Sequence, residues 1–262
     1  MPSTLLLYTL LFFTGAVLGS FLALTSCRYR AALTPAAWLN VICRPSSHCR
    51  QCKRALHFVD RLPLISQLWL RGECRYCGSA VGWHSFLFEA STALLLLFIT
   101  VREGLTPHAL FQVGTGFLLL LLADIDRRTF HLPDPLNYTL LWTGLVYSLH
   151  PDASLTPADA ITGALAGYLI LWLLATGYKL CRRKEGLGYG DMKLMAALGA
   201  CCGIKALPLV TVCATLLALG FVVVLKLMKK TKNRNSPLPF GPFLAIAGWV
   251  EIVFQHSVTL LL

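Results

Sequence analysis

Charged side chains are scarce in this sequence, and acidic ones are the scarcest. Only 13% of the 262 residues are charged, whereas 56% are hydrophobic, and Asp and Glu together number 12. A typical soluble domain is about 25% charged. This scarcity excludes a disordered chain, a coiled coil and an ordinary soluble enzyme, and it places the chain in a membrane. The sequence also lacks an internal repeat and a low-complexity tract.

Eight apolar runs are candidates for membrane spans. A helix rises about 1.5 Å per residue, so about 20 residues cross a hydrocarbon layer of about 30 Å. The first run is long and lacks a basic segment before it, so we do not expect a cleavable signal peptide. The fourth and sixth runs are short, and we expect them to tilt or to end inside a protein-lined cavity. The runs are residues 5–26, 84–101, 105–123, 135–150, 158–178, 192–204, 206–227 and 240–261.

The basic residues support this division and predict its orientation. With eight crossings, 21 of the 23 Lys and Arg residues fall in loops on one side, and only Arg102 and Lys205 fall on the other. Lys and Arg collect in cytoplasmic loops, so we expect both termini to lie outside the cytoplasm. The basic loops are compatible with binding to anionic lipid, and we expect no nucleic acid partner. These loops are residues 28–83, 124–134, 179–193 and 226–239.

The loop of residues 28–83 carries two C-x-x-C motifs separated by 21 residues. Two such motifs can supply four thiolates to a tetrahedral Zn²⁺ ion, which would stabilise a segment too small to bury its own core. Reduced thiols or disulfides are the alternatives, and a cytoplasmic location argues against disulfides. His48 could compete as a ligand. A closed four-thiolate site is structural rather than catalytic. The predicted ligands are Cys49, Cys52, Cys74 and Cys77.

Two acidic clusters are predicted to meet at the cytoplasmic face. Asp124, Asp126 and Asp134 lie where the third span ends, and Asp191 lies where the sixth begins. Two carboxylates that are close together at a low-dielectric boundary cannot both ionise easily. One then stays protonated as an acid, while the other activates a water molecule. The pattern therefore indicates a carboxylate pair with catalytic chemistry, although paired intramembrane acids also relay ions or protons in transporters.

Two glycines and one glutamate complete the set of candidate site residues. Gly188 and Gly190 remove side chains beside Asp191, which would let a substrate backbone approach closely. A tight turn before a helix is the alternative interpretation of this Gly-x-Gly-Asp pattern. Glu89 lies inside the second apolar run. A carboxylate in such a position is expensive to bury and is a candidate functional residue.

Several short motifs occur in a fixed order along nearly the whole chain. They are Gly19-Ser20-Phe21-Leu22, the first cysteine pair, Asp60, Leu62-Pro63-Leu64-Ile65-Ser66, Gly72, Cys74-Arg75-x-Cys77, Glu89, Asp126 seven residues before Pro133-Asp134, Glu185-Gly186-Leu187-Gly188-Tyr189-Gly190-Asp191-Met192-Lys193-Leu194 and Pro239-Phe240-Gly241-Pro242. Each motif is weak alone, but their order and spacing are specific. Together they resemble the bacterial prepilin peptidase family, also called type IV leader peptidases.

The resemblance implies a bifunctional integral membrane enzyme. Such an aspartic endopeptidase cleaves the short basic leader of prepilins and pseudopilins on the cytoplasmic side, after a glycine. It then methylates the new amino terminus, usually of phenylalanine, with S-adenosylmethionine as donor. Motif spacing would make Asp126 and Asp191 the catalytic pair, with Asp124 as the rival for the first role, and Glu89 a candidate contact for substrate or cofactor. The implied location is the bacterial inner membrane, beside the pilus or secretion assembly machinery.

The sequence departs from the family pattern at three places. Ala23 stands where an asparagine is common, Gln67 replaces a tryptophan, and Trp83-His84 replaces a basic residue followed by Tyr-Pro. These departures lie in the first helix and the cysteine loop, the loop to which the family ties methylation.

We therefore predict an all-α polytopic protein of about eight transmembrane helices. The predicted division is a first helix over 1–27, a zinc-binding cytoplasmic loop over 28–83 and a peptidase core over 84–262. A carboxylate-coupled transporter and a non-catalytic assembly adaptor that presents a zinc loop are the alternatives. A transporter would favour acids near the bilayer midplane and an internal repeat.

Overall fold

The described part of the protein is helical, which confirms the all-α prediction. A computed structural model describes residues 2–30, 34–43, 48–49, 51–80, 82–183, 188–228 and 238–259, and these residues contain no β-strand. Glu185-Gly186-Leu187 of the second aspartate motif and most of the basic loop 226–239 lie outside them. The helices are α1 (Pro2–Arg28), α2 (Pro35–Cys43), α3 (Ile65–Trp69), α4 (His84–Glu103), α5 (Pro107–Thr129), α6 (Asp134–Tyr147), α7 (Pro157–Arg182), α8 (Tyr189–Cys202), α9 (Leu207–Leu227) and α10 (Gly241–Thr259).

Each of the eight predicted spans falls on a helix, but only part of the count is confirmed. Within the described ranges, five helices are long and apolar enough to cross a membrane: α1, α4, α5, α7 and α9. Helices α6 and α8 have 14 residues each. At about 1.5 Å per residue they reach only about 21 Å, short of the ~30 Å hydrocarbon layer. The protein is therefore a membrane protein with five full-length spanning candidates and shorter apolar helices between them.

The chain forms two compact units, residues 1–109 and 110–262. The three-part division predicted from sequence stays a prediction. In the first unit α1 packs along α4, and the G-x-x-x-G pair Gly15 and Gly19 lies at the contact. A Cβ atom on Gly15 would stand 2.8 Å from the Ala93 Cα, and one on Gly19 would collide with the Thr92 hydroxyl. Small residues at this spacing let two membrane helices approach closely.

In the second unit α8 is enclosed by α6, α7, α9 and α10. Nine of its 14 residues are buried. The close packing uses glycine: a Cβ on Gly163 would collide with the Gly199 carbonyl, and one on Gly144 would stand 2.8 Å from the Cys201 sulfur. A helix too short to span the bilayer is tolerated where protein surrounds it. This enclosure fixes the position of Asp191, in the first turn of α8.

Candidate active site and thiol cluster

Asp126 is buried near the end of α5, with 5% of its surface exposed. The backbone N–H of Gly241, at the start of α10, donates a hydrogen bond of 3.1 Å to its Oδ2. The partial positive charge at a helix N-terminus stabilises a carboxylate placed there. A Cβ on Gly241 would stand 2.7 Å from the same oxygen, so a glycine is required for this contact. In the sequence, Pro239-Phe240-Gly241-Pro242 is recognisable only as a family motif, because a contact across 115 residues leaves no local signal.

Asp191, in the first turn of α8, is the second aspartate of the predicted pair. Its Oδ1 is buried without a hydrogen-bond partner among the described residues. Burial, together with the nearby charge of Asp126, raises the pKa of Asp191 to about 7. The structure therefore brings Asp126 and Asp191 close enough for their charges to interact, and near neutral pH the pair tends to hold one proton. An acid and a base side by side can carry general acid–base chemistry on a water molecule.

Asp124 has different partners. Its Oδ1 lies 2.9 Å from the Arg127 guanidinium and its Oδ2 lies 3.0 Å from that of Arg128, both on the same helix. Such pairs three and four residues apart stabilise a helix. Two arginine guanidinium groups contact Asp124, whereas the charge of Asp126 acts on Asp191. This geometry favours Asp126 over its rival as a member of the acid–base pair.

The residues around Asp191 hold its helix in place. The Lys193 ammonium lies 2.6 Å from the Asp134 carboxylate, which ties the start of α6 to α8. A Cβ on Gly188 would stand 3.3 Å from Asp191 Oδ2, so a side chain there would crowd that carboxylate. A Cβ on Gly190 would instead stand 2.9 Å from the Leu132 Cβ. Close packing thus accounts for Gly190, while its contact with a substrate stays a prediction.

The four predicted metal ligands lie together. Their sulfur atoms are all within 4.8 Å of one another, so the cluster could hold a metal ion. Sulfurs bound tetrahedrally to Zn²⁺ at about 2.3 Å would be about 3.8 Å apart. The Sγ atoms of Cys49 and Cys77 are 3.8 Å apart, and the Ser79 hydroxyl lies 3.6 Å and 3.1 Å from them. The donor set and its spacing therefore fit zinc.

Both C-x-x-C segments form the same turn. The Cys49 N–H donates to the Arg54 carbonyl and the Cys74 N–H donates to the Ser79 carbonyl, each at 2.9 Å. In each turn the residue four positions after the first cysteine has a left-handed backbone: Lys53 at φ 60° and Gly78 at φ 64°. The matching turns aim both cysteines of each pair at a common point, which is how such motifs bind metal.

Protonation within the cluster is uneven. Hydrogen bonding from the backbone of Cys52 and then from Ser79 lowers the pKa of Cys49 to about 6. The Arg54 backbone favours the Cys52 thiolate, but burial and the Cys49 thiol outweigh it and raise the pKa of Cys52 to about 11. Hydrogen bonding from Ser79 also lowers the pKa of Cys77. Thiolates therefore form most readily at Cys49 and Cys77, and a bound cation is what would allow all four to ionise.

Glu89, the predicted contact for substrate or cofactor, holds the turn before α3. The Leu64 N–H donates to its Oε2 at 2.8 Å, and Ser20 of α1 is a second hydrogen-bond partner. Leu64 has a φ of +60°, a strained value for a leucine that the surrounding structure has to support. Glu89 thus links α1, α4 and the cysteine loop. A direct contact with a ligand stays a prediction.

Fold and site together describe a membrane protein with an interacting aspartate pair and a four-thiol cluster, and similarity to known proteins gives its family. Residues 113–223 match the Type IV leader peptidase family, and residues 13–102 match the Bacterial Peptidase A24 N-terminal domain. The chain belongs to the type IV leader peptidase family, as the resemblance of its motifs predicts.

Curated relatives cover most of the chain. The "Prepilin leader peptidase/N-methyltransferase" of Aeromonas salmonicida is 41% identical over 217 residues, which are 82% of this chain and 73% of the relative. The proteins of the same name from Dickeya chrysanthemi and Pseudomonas aeruginosa are 39% and 37% identical, each over 82% of this chain and over 75% and 73% of their own lengths. No solved structure matches the chain.

Proposed function

We propose that this protein is a bifunctional membrane enzyme. It removes the leader from type IV prepilins and pseudopilins as an aspartic endopeptidase, and it N-methylates the new amino terminus. Family membership and the names of the relatives support this function. The observation that carries it is the interaction between the buried carboxyl of Asp126 and the partly buried carboxyl of Asp191. No observation on the described residues favours the transporter or adaptor alternatives.

The pair has the groups that peptide hydrolysis needs. Asp126, beside the Gly241 N–H, is the ionised partner and takes a proton from a water molecule. The water oxygen bonds to the carbonyl carbon of the last leader residue, the glycine, while Asp191 donates its proton to the oxygen of that carbonyl. When the C–N bond breaks, the proton on Asp126 passes to the departing amine and the carbonyl returns its proton to Asp191. Both carboxyls end in their starting states.

The second activity needs a methyl donor, and the family implies S-adenosylmethionine, whose sulfonium methyl group passes to the freed amine. The family ties this step to the cysteine loop. On this proposal Cys49, Cys52, Cys74 and Cys77 bind a structural Zn²⁺ ion that maintains the shape of the loop. The zinc takes no part in either reaction.

The proposed location is the bacterial inner membrane, with the four basic loops and the aspartate pair on the cytoplasmic side. The placement of 21 of the 23 Lys and Arg residues in these loops supports the orientation. Arg127 and Arg128 follow Asp126 directly, so the end of α5 that carries the aspartate is a basic one. Partners on this proposal are prepilins or pseudopilins and the pilus or secretion assembly machinery.

The test is to replace each aspartate with asparagine and to measure leader removal from a prepilin in membranes. Asp126→Asn and Asp191→Asn should each lower the rate at least about 100-fold, because an amide can act neither as the acid nor as the base. Asp124→Asn is the matched control and should cleave. Mass spectrometry of the mature pilin detects the methyl group. Full cleavage by Asp126→Asn, with loss in Asp124→Asn, would show that the wrong aspartate was chosen.

A further inference from the structure

Helix α3 in the cysteine loop has its apolar face outward. Ile65, Leu68 and Trp69 are 47%, 59% and 81% exposed, and their spacing places them on one face of the helix. The polar Gln67 is buried instead, and its side-chain N–H donates to the Gly82 carbonyl. A helix at a protein–water surface has the opposite arrangement. The outward face of α3 therefore suits an apolar environment.

The exposed apolar surface extends beyond α3. The short helix Val59–Arg61 packs against α3. Its first residue, Val59, is 50% exposed, and the preceding residue, Phe58, is 74% exposed. We call Phe58, Val59, Ile65, Leu68 and Trp69 the α3 patch. The exposed side chains of Arg61 and Arg71 lie before and after α3 in the sequence. An apolar surface that contains Trp and is bordered by basic residues is typical of contact with an anionic lipid surface.

Contacts within the first unit place the start of α3 beside the second turn of α4, farther along the helices than the point where α1 ends and α4 begins. The Cys27 sulfur lies 3.9 Å from the His84 imidazole, so the last turn of α1 and the first turn of α4 are at the same height. Leu64, the residue before α3, bonds to Glu89 through its backbone N–H. Glu89 is five residues after His84, the first residue of α4, which is about 7.5 Å along the helix axis.

The Leu64 side chain also packs between α1 and α4, away from the point where α1 ends and α4 begins. It packs in a buried cluster with Ala16 of α1 and Ala93 of α4, both well inside the apolar helices. Interfacial helices bury their apolar faces about 5–10 Å into the boundary between headgroups and acyl chains. The start of α3 lies a similar distance from the ends of two membrane-spanning candidates, so lipid is the surface its outward side chains would meet.

We propose that the α3 patch inserts into the lipid headgroup–acyl boundary and anchors the cysteine loop to the membrane. Trp69 and Leu68 enter the bilayer beside α4, while Arg61 and Arg71 contact the phosphates of anionic lipids. The cysteine loop is then held by its two ends at α1 and α4, by the bond between Leu64 and Glu89, and by this lipid contact. The inference concerns a surface outside the aspartate pair and does not depend on the proposed peptidase activity.

The test uses the full chain in vesicles of phosphatidylcholine and phosphatidylglycerol. The photoreactive residue p-benzoylphenylalanine is placed at position 69 in one variant and at position 76 in the other. Tyr76 is the matched control, because it is also an exposed aromatic residue but lies in the second cysteine turn, where Arg54 stacks over its ring. We expect lipid adducts at position 69 several-fold above those at position 76. Equal adduct yields, or adducts at position 69 with protein instead of lipid, would overturn the proposal.

A second measurement gives the depth without a photoreactive group. The fluorescence of Trp69 is obtained as the difference between the wild-type protein and Trp69→Phe, in vesicles whose lipids carry bromine at different positions along the acyl chain. We expect this difference signal to be quenched most by bromine near the headgroup end, as for a side chain at the interface. A difference signal that no brominated lipid quenches would contradict insertion.

Discussion

Replacing Gly241 with alanine would place a methyl group against the carboxylate of Asp126. The added Cβ would stand 2.7 Å from Oδ2 and 3.1 Å from Cγ, whereas ordinary van der Waals contacts begin at 3.4 Å. The carboxylate would have to rotate, or the start of α10 would have to move away. Either change breaks the hydrogen bond of 3.1 Å from the Gly241 N–H, and with it the placement of Asp126 beside Asp191.

The expected loss follows from that hydrogen bond. A hydrogen bond to a charged group contributes about 1.5–3 kcal/mol. Each ~1.4 kcal/mol of barrier changes a rate about tenfold. If the bond holds Asp126 in its reactive position, Gly241→Ala should slow leader removal roughly 10- to 100-fold, while the protein still inserts into the membrane.

The assay is the rate of leader removal from a prepilin by membranes that contain equal amounts of each variant. Gly220→Ala on α9 is the matched control, since a Cβ there meets no atom within 4 Å. Alanine within a helix is also favoured over glycine by about 1 kcal/mol. The control should therefore cleave at the wild-type rate. If Gly241→Ala cleaves as fast as the control, the Gly241 amide does not position the catalytic aspartate.

Two further predictions concern metal and pH. Protein purified without chelator should contain about one zinc per chain, and the double replacement of Cys49 and Cys52 by serine should remove it; elemental analysis without zinc in the wild type would exclude the zinc site. The pKa of Asp191 is raised to about 7, so this carboxyl holds its proton below that pH and loses it above. The rate of leader removal should then fall as the pH rises through about 7 because the acid is lost, and a flat pH profile across this range would refute the assignment of the acid.

The helices and the thiol cluster were predictable because their signals are local. Each of the eight apolar runs is continuous in sequence, and each C-x-x-C turn brings its own two sulfurs together. The number of full-length spans was less predictable. Helix α8 ends at Cys202, before Gly203, and its enclosure by α6, α7, α9 and α10 depends on long-range packing. Glycine contacts such as Gly163 with Gly199 make this packing possible, and sequence spacing alone does not pair them.

The choice between Asp124 and Asp126 shows which contacts of a site can be predicted from the sequence and which cannot. Arg127 and Arg128 follow Asp124 by three and four residues, so helical geometry alone predicts the ion pairs that the structure shows. That local signal already favours Asp126 as the aspartate left for catalysis. Its hydrogen bond from Gly241 spans 115 residues of sequence and has no local pattern. The same holds for the bond of Leu64 to Glu89, which sets the depth of α3: only the packed structure shows that an apolar helix face points away from the protein.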